Sequence, residues 1–139
     1  MATSIAEYYT NELDDWKDSI HLNLERISES EERLNEILHF NTIPNLAANV
    51  ERYLNELFLA RQNLLDLDNQ VTSLEKKLYN KEAPVRDELV TDELKKLQKS
   101  LRESVYKAEK EFLELKYVID AFIAQVVNAQ IKKTDTNHK

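Results

Sequence analysis

The sequence contains no glycine and no cysteine, and it has only two prolines among its 139 residues. Average usage near 7% would supply about ten glycines to a chain of this length. Phosphate-cradling loops, nucleotide fingerprints and nucleophile elbows need glycine for positive φ angles or for close approach of a ligand to the backbone. Because cysteine is also absent, a disulfide framework, a thiol nucleophile and a thiolate metal site are excluded. We therefore expect no cofactor and no enzymatic activity.

The length and hydrophobicity of the chain favour one soluble domain that spans residues 1–139. Hydrophobic residues make up 42% of the sequence and charged residues 32%, which is typical of a folded globular chain. Apolar residues never run unbroken for the ~18 positions that a membrane span needs. The first residues lack the basic start and the apolar stretch of a secretory signal. We therefore expect a cytoplasmic protein that has no membrane partner.

Negative charge is concentrated near the start of the chain. Residues 1–40 carry ten acidic and three basic side chains, whereas the remainder carries sixteen of each, so the net charge of −7 belongs to the first part. An acidic surface disfavours binding to nucleic acid, because a basic stripe is the usual footprint of such binding. We interpret the acidic residues as a solvated helix face, with docking to a basic partner as the alternative.

Three segments carry the alternating three- and four-residue spacing of apolar side chains that is typical of coiled coils. We predict helix 1 over about residues 5–40, helix 2 over about 44–79 and helix 3 over about 91–132, followed by a disordered tail at about 134–139. Matched lengths and short connections favour antiparallel neighbours. The predicted fold is all-α, an elongated antiparallel three-helix bundle with up-down-up topology.

Short polar side chains mark the expected helix ends. Ser4 and Glu7 have the spacing of a capping box, and Thr91 is placed to cap the third helix. Asn41 is expected to adopt the left-handed conformation that ends the first helix. The connection over 80–91 is expected to contain one helical turn that closes the end of the bundle.

The three apolar seams differ in regularity. Helix 2 has the only unbroken alternation, so we expect it to be central, with Leu57, Leu64 and Val71 among the most buried residues. In helix 3 the seam runs through Leu97 and Leu101, which produces two consecutive spacings of four. Such a stutter locally unwinds a supercoil.

Two positions of the helix 1 seam are polar, namely Asn23 and Ser30. An amide among heptad leucines costs stability and can fix register or oligomeric state. The alternative is that helix 1 turns these positions to water, while Leu24, Glu31 and Leu38 supply the buried face instead. The sequence leaves both interpretations open.

Glu36 and His39 form the one pattern that resembles a metal site. An E-x-x-H pair is a ligand pattern of di-iron carboxylate bundles, which need a second such pair on another helix. The comparable pair Asp18 and His21 lies on the same predicted helix, about 27 Å away. A bundle that binds a metal or small ligand around Glu36 and His39 is therefore the alternative function. The favoured interpretation is that His21 and His39 are exposed or packed against the shoulder of the bundle.

Aromatic side chains cluster toward both ends of the predicted bundle. We interpret them as two caps on one core, with Tyr106 in the first cap and Tyr117 in the second.

The stretch over 117–129 is apolar nearly all round a helix, although a three-helix bundle covers only about half of each helix. Val118, Ile123 and Val127 lie off the predicted seam, so they are the candidate partner-binding residues. The leading hypothesis is a non-enzymatic helical interaction module that acts as a scaffold, adaptor, chaperone or assembly subunit. It would bind a protein partner or a second copy of itself through this surface.

Overall fold

The computed structural model describes residues 4–40, 43–81 and 83–137. These residues form three long helices, a two-stranded hairpin and a short 3-10 turn: α1 (Ile5–Ile37), α2 (Leu46–Leu78), β1 (Tyr79–Asn80), β2 (Ala83–Pro84), the turn at Asp87–Leu89, and α3 (Asp92–Asn137). Each long helix contacts the other two. The predicted all-α three-helix bundle is confirmed.

Polar contacts between the helices define their directions. Contacts of α1 with α3 ascend along both helices and join Glu12 to Arg102, Ser19 to Glu109, and Arg33 to Asp120. Contacts of α1 with α2 run in opposite orders and join Lys17 to Thr72, His21 to Asp68, and Glu31 to Arg61. Helices α1 and α3 are therefore parallel and α2 is antiparallel to both, which is the up-down-up topology.

The core forms one continuous column between the three helices. Leu57, Leu64 and Val71 of α2 are each no more than 1% exposed, as predicted for the helix with the most regular seam. Asn23 and Ser30 are also buried, so the seam of α1 runs through them. The Asn23 side-chain oxygen accepts a hydrogen bond from Arg26 at 3.3 Å, which satisfies part of the buried amide.

The seam of α3 differs from its prediction at one point. Leu97 is exposed, whereas the neighbouring Gln98 is fully buried. The seam therefore passes from the partly buried Leu94 through Gln98 to the buried Leu101 and keeps four-three alternation, so the predicted stutter is wrong. Hydrophobicity favoured the leucine over the amide, but the Gln98 amide nitrogen donates two hydrogen bonds across the bundle, which offset part of its desolvation. The buried amide oxygen has no hydrogen-bond partner among the described residues.

Side chains from two segments cap the start of α1. The Ser4 hydroxyl accepts a hydrogen bond from the Glu7 N–H at 3.1 Å, which forms one half of the predicted capping box. The N–H of Ile5 donates to the Asp87 carboxylate at 2.9 Å. The connection between α2 and α3 therefore reaches back to satisfy a free donor of the first helix.

That connection also closes one end of the core. The expected helical turn is present as the 3-10 turn, but its Leu89 is exposed, and the buried side chain is that of Val90. Val85 packs against the core from the hairpin. Thr91 then caps α3 as predicted, because its hydroxyl accepts a hydrogen bond from the N–H of Leu94 at 3.1 Å.

Among the described residues of this glycine-free chain, two adopt positive φ angles. Asn45, directly before α2, has φ of 60°, and Lys81, in the hairpin turn, has φ of 63°. Asparagine tolerates this region best among residues with a side chain. Asn41, which was expected to take this role at the end of α1, lies outside the described residues.

The helix limits differ modestly from those expected. Helix α1 ends at Ile37 and α2 begins at Leu46, so the connection between them is longer than predicted. Helix α3 continues to Asn137, although a disordered tail was expected from Thr134. The Thr134 hydroxyl donates to the Gln130 carbonyl at 3.0 Å, which accommodates the threonine within the helix. Residues 138–139 lie outside the described part of the chain.

A candidate docking face on helix α3

Large apolar side chains are exposed in a row along the middle of α3. Tyr106 is 70% exposed, Leu113 48% and Tyr117 78%. With Lys110 between them, they are separated by steps of four, three and four residues, so they share one narrow strip of the helix. Phe112 of the same turns is buried in the core. Helix α3 therefore has a second apolar strip that points away from the bundle, which we call the α3 face.

The α3 face forms a shallow open depression of about 580 Å³. Its lining residues all belong to α3 and are Tyr106, Glu109, Lys110, Leu113, Glu114, Tyr117 and Val118. Val118 is 48% exposed and lies at the edge of the strip. The depression lies on the outside of one helix, so it suits a protein surface better than a small ligand, which normally needs an enclosing pocket.

Charged residues border this strip on both sides. On the side of α2, Lys107 lies 3.9 Å from Glu111 within the same helix. On the side of α1, Glu109 accepts a hydrogen bond from Ser19 across the helix interface. The α3 face thus has an apolar centre and a polar rim, which is the usual anatomy of a docking surface.

The predicted partner-binding residues do not come together on the surface. Val118 is exposed, but Ile123 is only 3% exposed and belongs to the core, and Val127 is half-buried against it. The expectation of an exposed Ile123 is wrong. Glu109 contacts Ser19 of α1, and Ile123 lies fourteen residues, or about four turns, further along α3 and so on the same side of the helix. The rings of Tyr53 and of the neighbouring Phe122 have their centres 5.1 Å apart.

Sequence reasoning missed the centre of the α3 face. Tyr106 and Tyr117 were assigned to aromatic caps of the core, and their high exposure contradicts this assignment. Their four-three-four spacing with Lys110 and Leu113 could have revealed a second helical strip. It was obscured because the strip contains a lysine and runs beside the stronger core seam.

A polar cluster near the start of α3 is a second candidate site. The buried Gln98 amide donates to the Tyr9 carbonyl at 3.2 Å and to the Glu12 carboxylate at 2.8 Å. Arg102 donates two hydrogen bonds to the same carboxylate, at 2.6 and 2.7 Å. The guanidinium also lies 6.0 Å from the ring of Trp16.

The electrostatics of this cluster are those of a structural ion pair. Partial burial acts to raise the pKa of Glu12, but the hydrogen bonds from Arg102 and Gln98 outweigh it and hold this pKa below the usual 4.5. The bond to Glu12 likewise raises the pKa of Arg102. A carboxylate held ionised and fully engaged is a poor general acid or base near neutral pH. The cluster joins α1 to α3 and does not supply reactive groups.

The candidate metal residues are both exposed. Glu36 and His39 lie at the end of α1 and just beyond it. Among the described residues, no group of three or more histidine, aspartate or glutamate side chains is arranged to hold a metal ion. His21, of the comparable pair on the same helix, lies 3.2 Å from the Asp68 carboxylate of α2.

The chain matches no known family model, and no curated protein or solved structure is significantly similar to it. Within the described ranges, no helix combines the length and hydrophobicity needed to cross a membrane.

Proposed function

We propose that this protein is a non-enzymatic helical interaction module that docks other protein surfaces through the α3 face. The observation that carries this proposal is the exposure of Tyr106, Leu113 and Tyr117 in one row along α3, which also contains Lys110. The docking surface is thus nearer the middle of α3 than the sequence suggested and shares Val118 with the predicted set.

The arrangement of these side chains in one strip favours docking of a partner. Single exposed apolar residues are normal on a protein surface, whereas a contiguous strip with a polar rim is typical of a binding site. Full burial of one large apolar side chain contributes about 1.5–3 kcal/mol. Tyrosine is enriched at interfaces because its ring is large and rigid while its hydroxyl tolerates water.

A non-enzymatic role is supported by the location of the perturbed ionisable groups. Glu12, Arg61 and Arg102 have shifted pKa values, and in each case an ion pair between two helices accompanies the shift. Catalytic groups with perturbed pKa values usually line a cleft. Nucleic acid is a disfavoured partner because the chain is acidic and both charge signs border the α3 face.

Site-specific photo-crosslinking in the native cell tests this function. A photoreactive amino acid replaces Tyr117, and the matched control carries it at Gln62, an exposed position on α2. We expect protein adducts from position 117, and we expect their yield to fall when Leu113→Ser is introduced alongside. Equal yields from both positions, or no adduct at position 117, would contradict docking at the α3 face.

A further inference from the structure

The exposed positions of the α3 face have the spacing of a helix-packing seam. From Tyr106 through Lys110 and Leu113 to Tyr117 the steps alternate between four and three residues. This alternation lets one helix pack along another over successive turns. The occupant that fits the α3 face is therefore a second helix.

Charged residues flank this seam in a self-complementary order. Lys107 and Glu114 lie along the edge on the side of α2, and both are exposed. Glu109 and Lys116 lie along the edge on the side of α1 and are half-buried. Each edge therefore carries one lysine and one glutamate, seven residues apart.

From this order, and building on the docking function proposed above, we infer that the occupant is a second copy of this chain, with the two α3 helices packed antiparallel. A two-fold axis places each edge of one α3 helix beside the same edge of the second copy, with the residues running in the opposite order. With the axis between Lys110 and Leu113, each edge lysine faces the edge glutamate of the other copy. Tyr106 then lies opposite Tyr117 of the second copy, and this aromatic pair occurs twice.

The charge pattern disfavours the opposite orientation. In a parallel pair, a residue on one edge faces the residue five positions further along on the other edge of the partner helix. Glu109 would then face Glu114 of the second copy, and Arg102 would face Lys107. Like charges at such positions act against pairing and so select the antiparallel arrangement.

Acidic residues limit the length of this contact. Glu103 and Asp120 occupy the next seam positions and face each other across the antiparallel pair, although Asp120 is already paired with Arg33 and Lys116 of its own chain. The apolar contact therefore spans about three helical turns. Stable interfaces usually bury about 1,200–2,000 Å², so a contact of this length forms a weak dimer that depends on protein concentration.

Sedimentation equilibrium of the full chain tests this inference through two charge reversals. Lys107→Glu and Glu114→Lys each place like charges together twice per homodimer, so we expect each to raise the dimer dissociation constant about tenfold. A mixture of the two variants regains opposite charges at both contacts, and we expect it to form a heterodimer close to wild-type affinity. Glu25→Lys, at an exposed position on α1, is the matched control and should leave the dissociation constant unchanged.

Four results would overturn the inference. One is a wild-type chain that stays monomeric at millimolar concentration, and another is a mixture of the two variants that fails to associate. Tighter association of Glu114→Lys alone would indicate parallel pairing. If position 117 crosslinks only to a different protein, self-pairing is wrong but docking stands, whereas the absence of any adduct at 117 contradicts the docking function itself.

Discussion

The two ends of the bundle reach a similar degree of burial with opposite chemistry. Where α3 begins, its seam includes Gln98, and the Glu12 carboxylate joins this amide to Arg102. At the other end of the bundle, the α3 residues Ile119 and Ile123 are buried in an apolar part of the core. The first end depends on directional hydrogen bonds and the second on volume and hydrophobicity.

This difference shows how a surface can be misassigned from composition. The apolar stretch of α3 is covered because α1 and α2 meet it with large side chains such as Tyr53. The uncovered strip lies between the two ends, where Leu113 and Tyr117 point away from both neighbours. Exposure therefore depends on the angular position of a side chain around the helix more than on local hydrophobicity.

The largest expected effect is a difference in the free energy of unfolding between two variants of the apolar end, one at a buried position and one at an exposed position. Ile123→Glu places a charge in the core without a partner and should lower the free energy of unfolding by about 3–5 kcal/mol. Val118→Glu, five residues earlier and exposed, should change it by about 0.5 kcal/mol or less. Urea denaturation of both variants measures the difference. Similar losses of stability for the two variants would contradict the assignment of Ile123 to the core and of Val118 to the surface.

An intermediate effect is expected at the polar end. Gln98→Ala leaves a cavity and removes two hydrogen bonds, so we expect a loss of about 1–3 kcal/mol. Gln98→Leu also removes the hydrogen bonds but fills the seam position with an apolar side chain of similar volume. Because such replacements are often neutral or stabilising, we expect a change within about 1 kcal/mol of wild type.

The contrast between the two variants is the informative quantity, and thermal or urea denaturation of both supplies it. If Gln98→Leu and Gln98→Ala both lose stability to a similar extent, the hydrogen bonds of Gln98 stabilise this end more than packing does. If neither variant loses stability, the side chain of Gln98 makes no measurable contribution.

The fold was predictable from sequence because heptad spacing repeats over many turns in each helix. The alternation in α2 placed Leu57, Leu64 and Val71 in the core without error. The polar seam positions were harder to predict, because hydropathy alone favours Leu97 over Gln98 as the buried residue. Only the partners on α1, which the sequence does not place in space, satisfy the amide nitrogen of the buried Gln98.

The candidate site was less predictable for a related reason. An apolar stretch shows that burial is needed, but it does not show whether neighbouring helices already provide it. Ile123 is covered by the same chain, whereas Tyr117 is not. Assigning the α3 face required the angular position of each side chain relative to both packed neighbours.

The smallest expected effect concerns the pH dependence of the polar end. Glu12 has a lowered pKa in the folded state, so its ionised form adds stability above the usual value of 4.5, and this contribution disappears as the pH falls through the folded-state pKa. Glu12→Gln keeps an acceptor for Gln98 but removes the charge opposite Arg102. We expect this variant to be about 1 kcal/mol less stable than wild type at pH 7.

Urea denaturation of both proteins between pH 7 and pH 3 should show the two stabilities converging below the usual pKa of glutamate. The comparison between variants removes the contribution of other carboxylates, which titrate in both proteins. A stability difference that persists unchanged at pH 3 would mean that the carboxylate acts through its shape and not its charge. The polar end would then depend on packing, as the apolar end does.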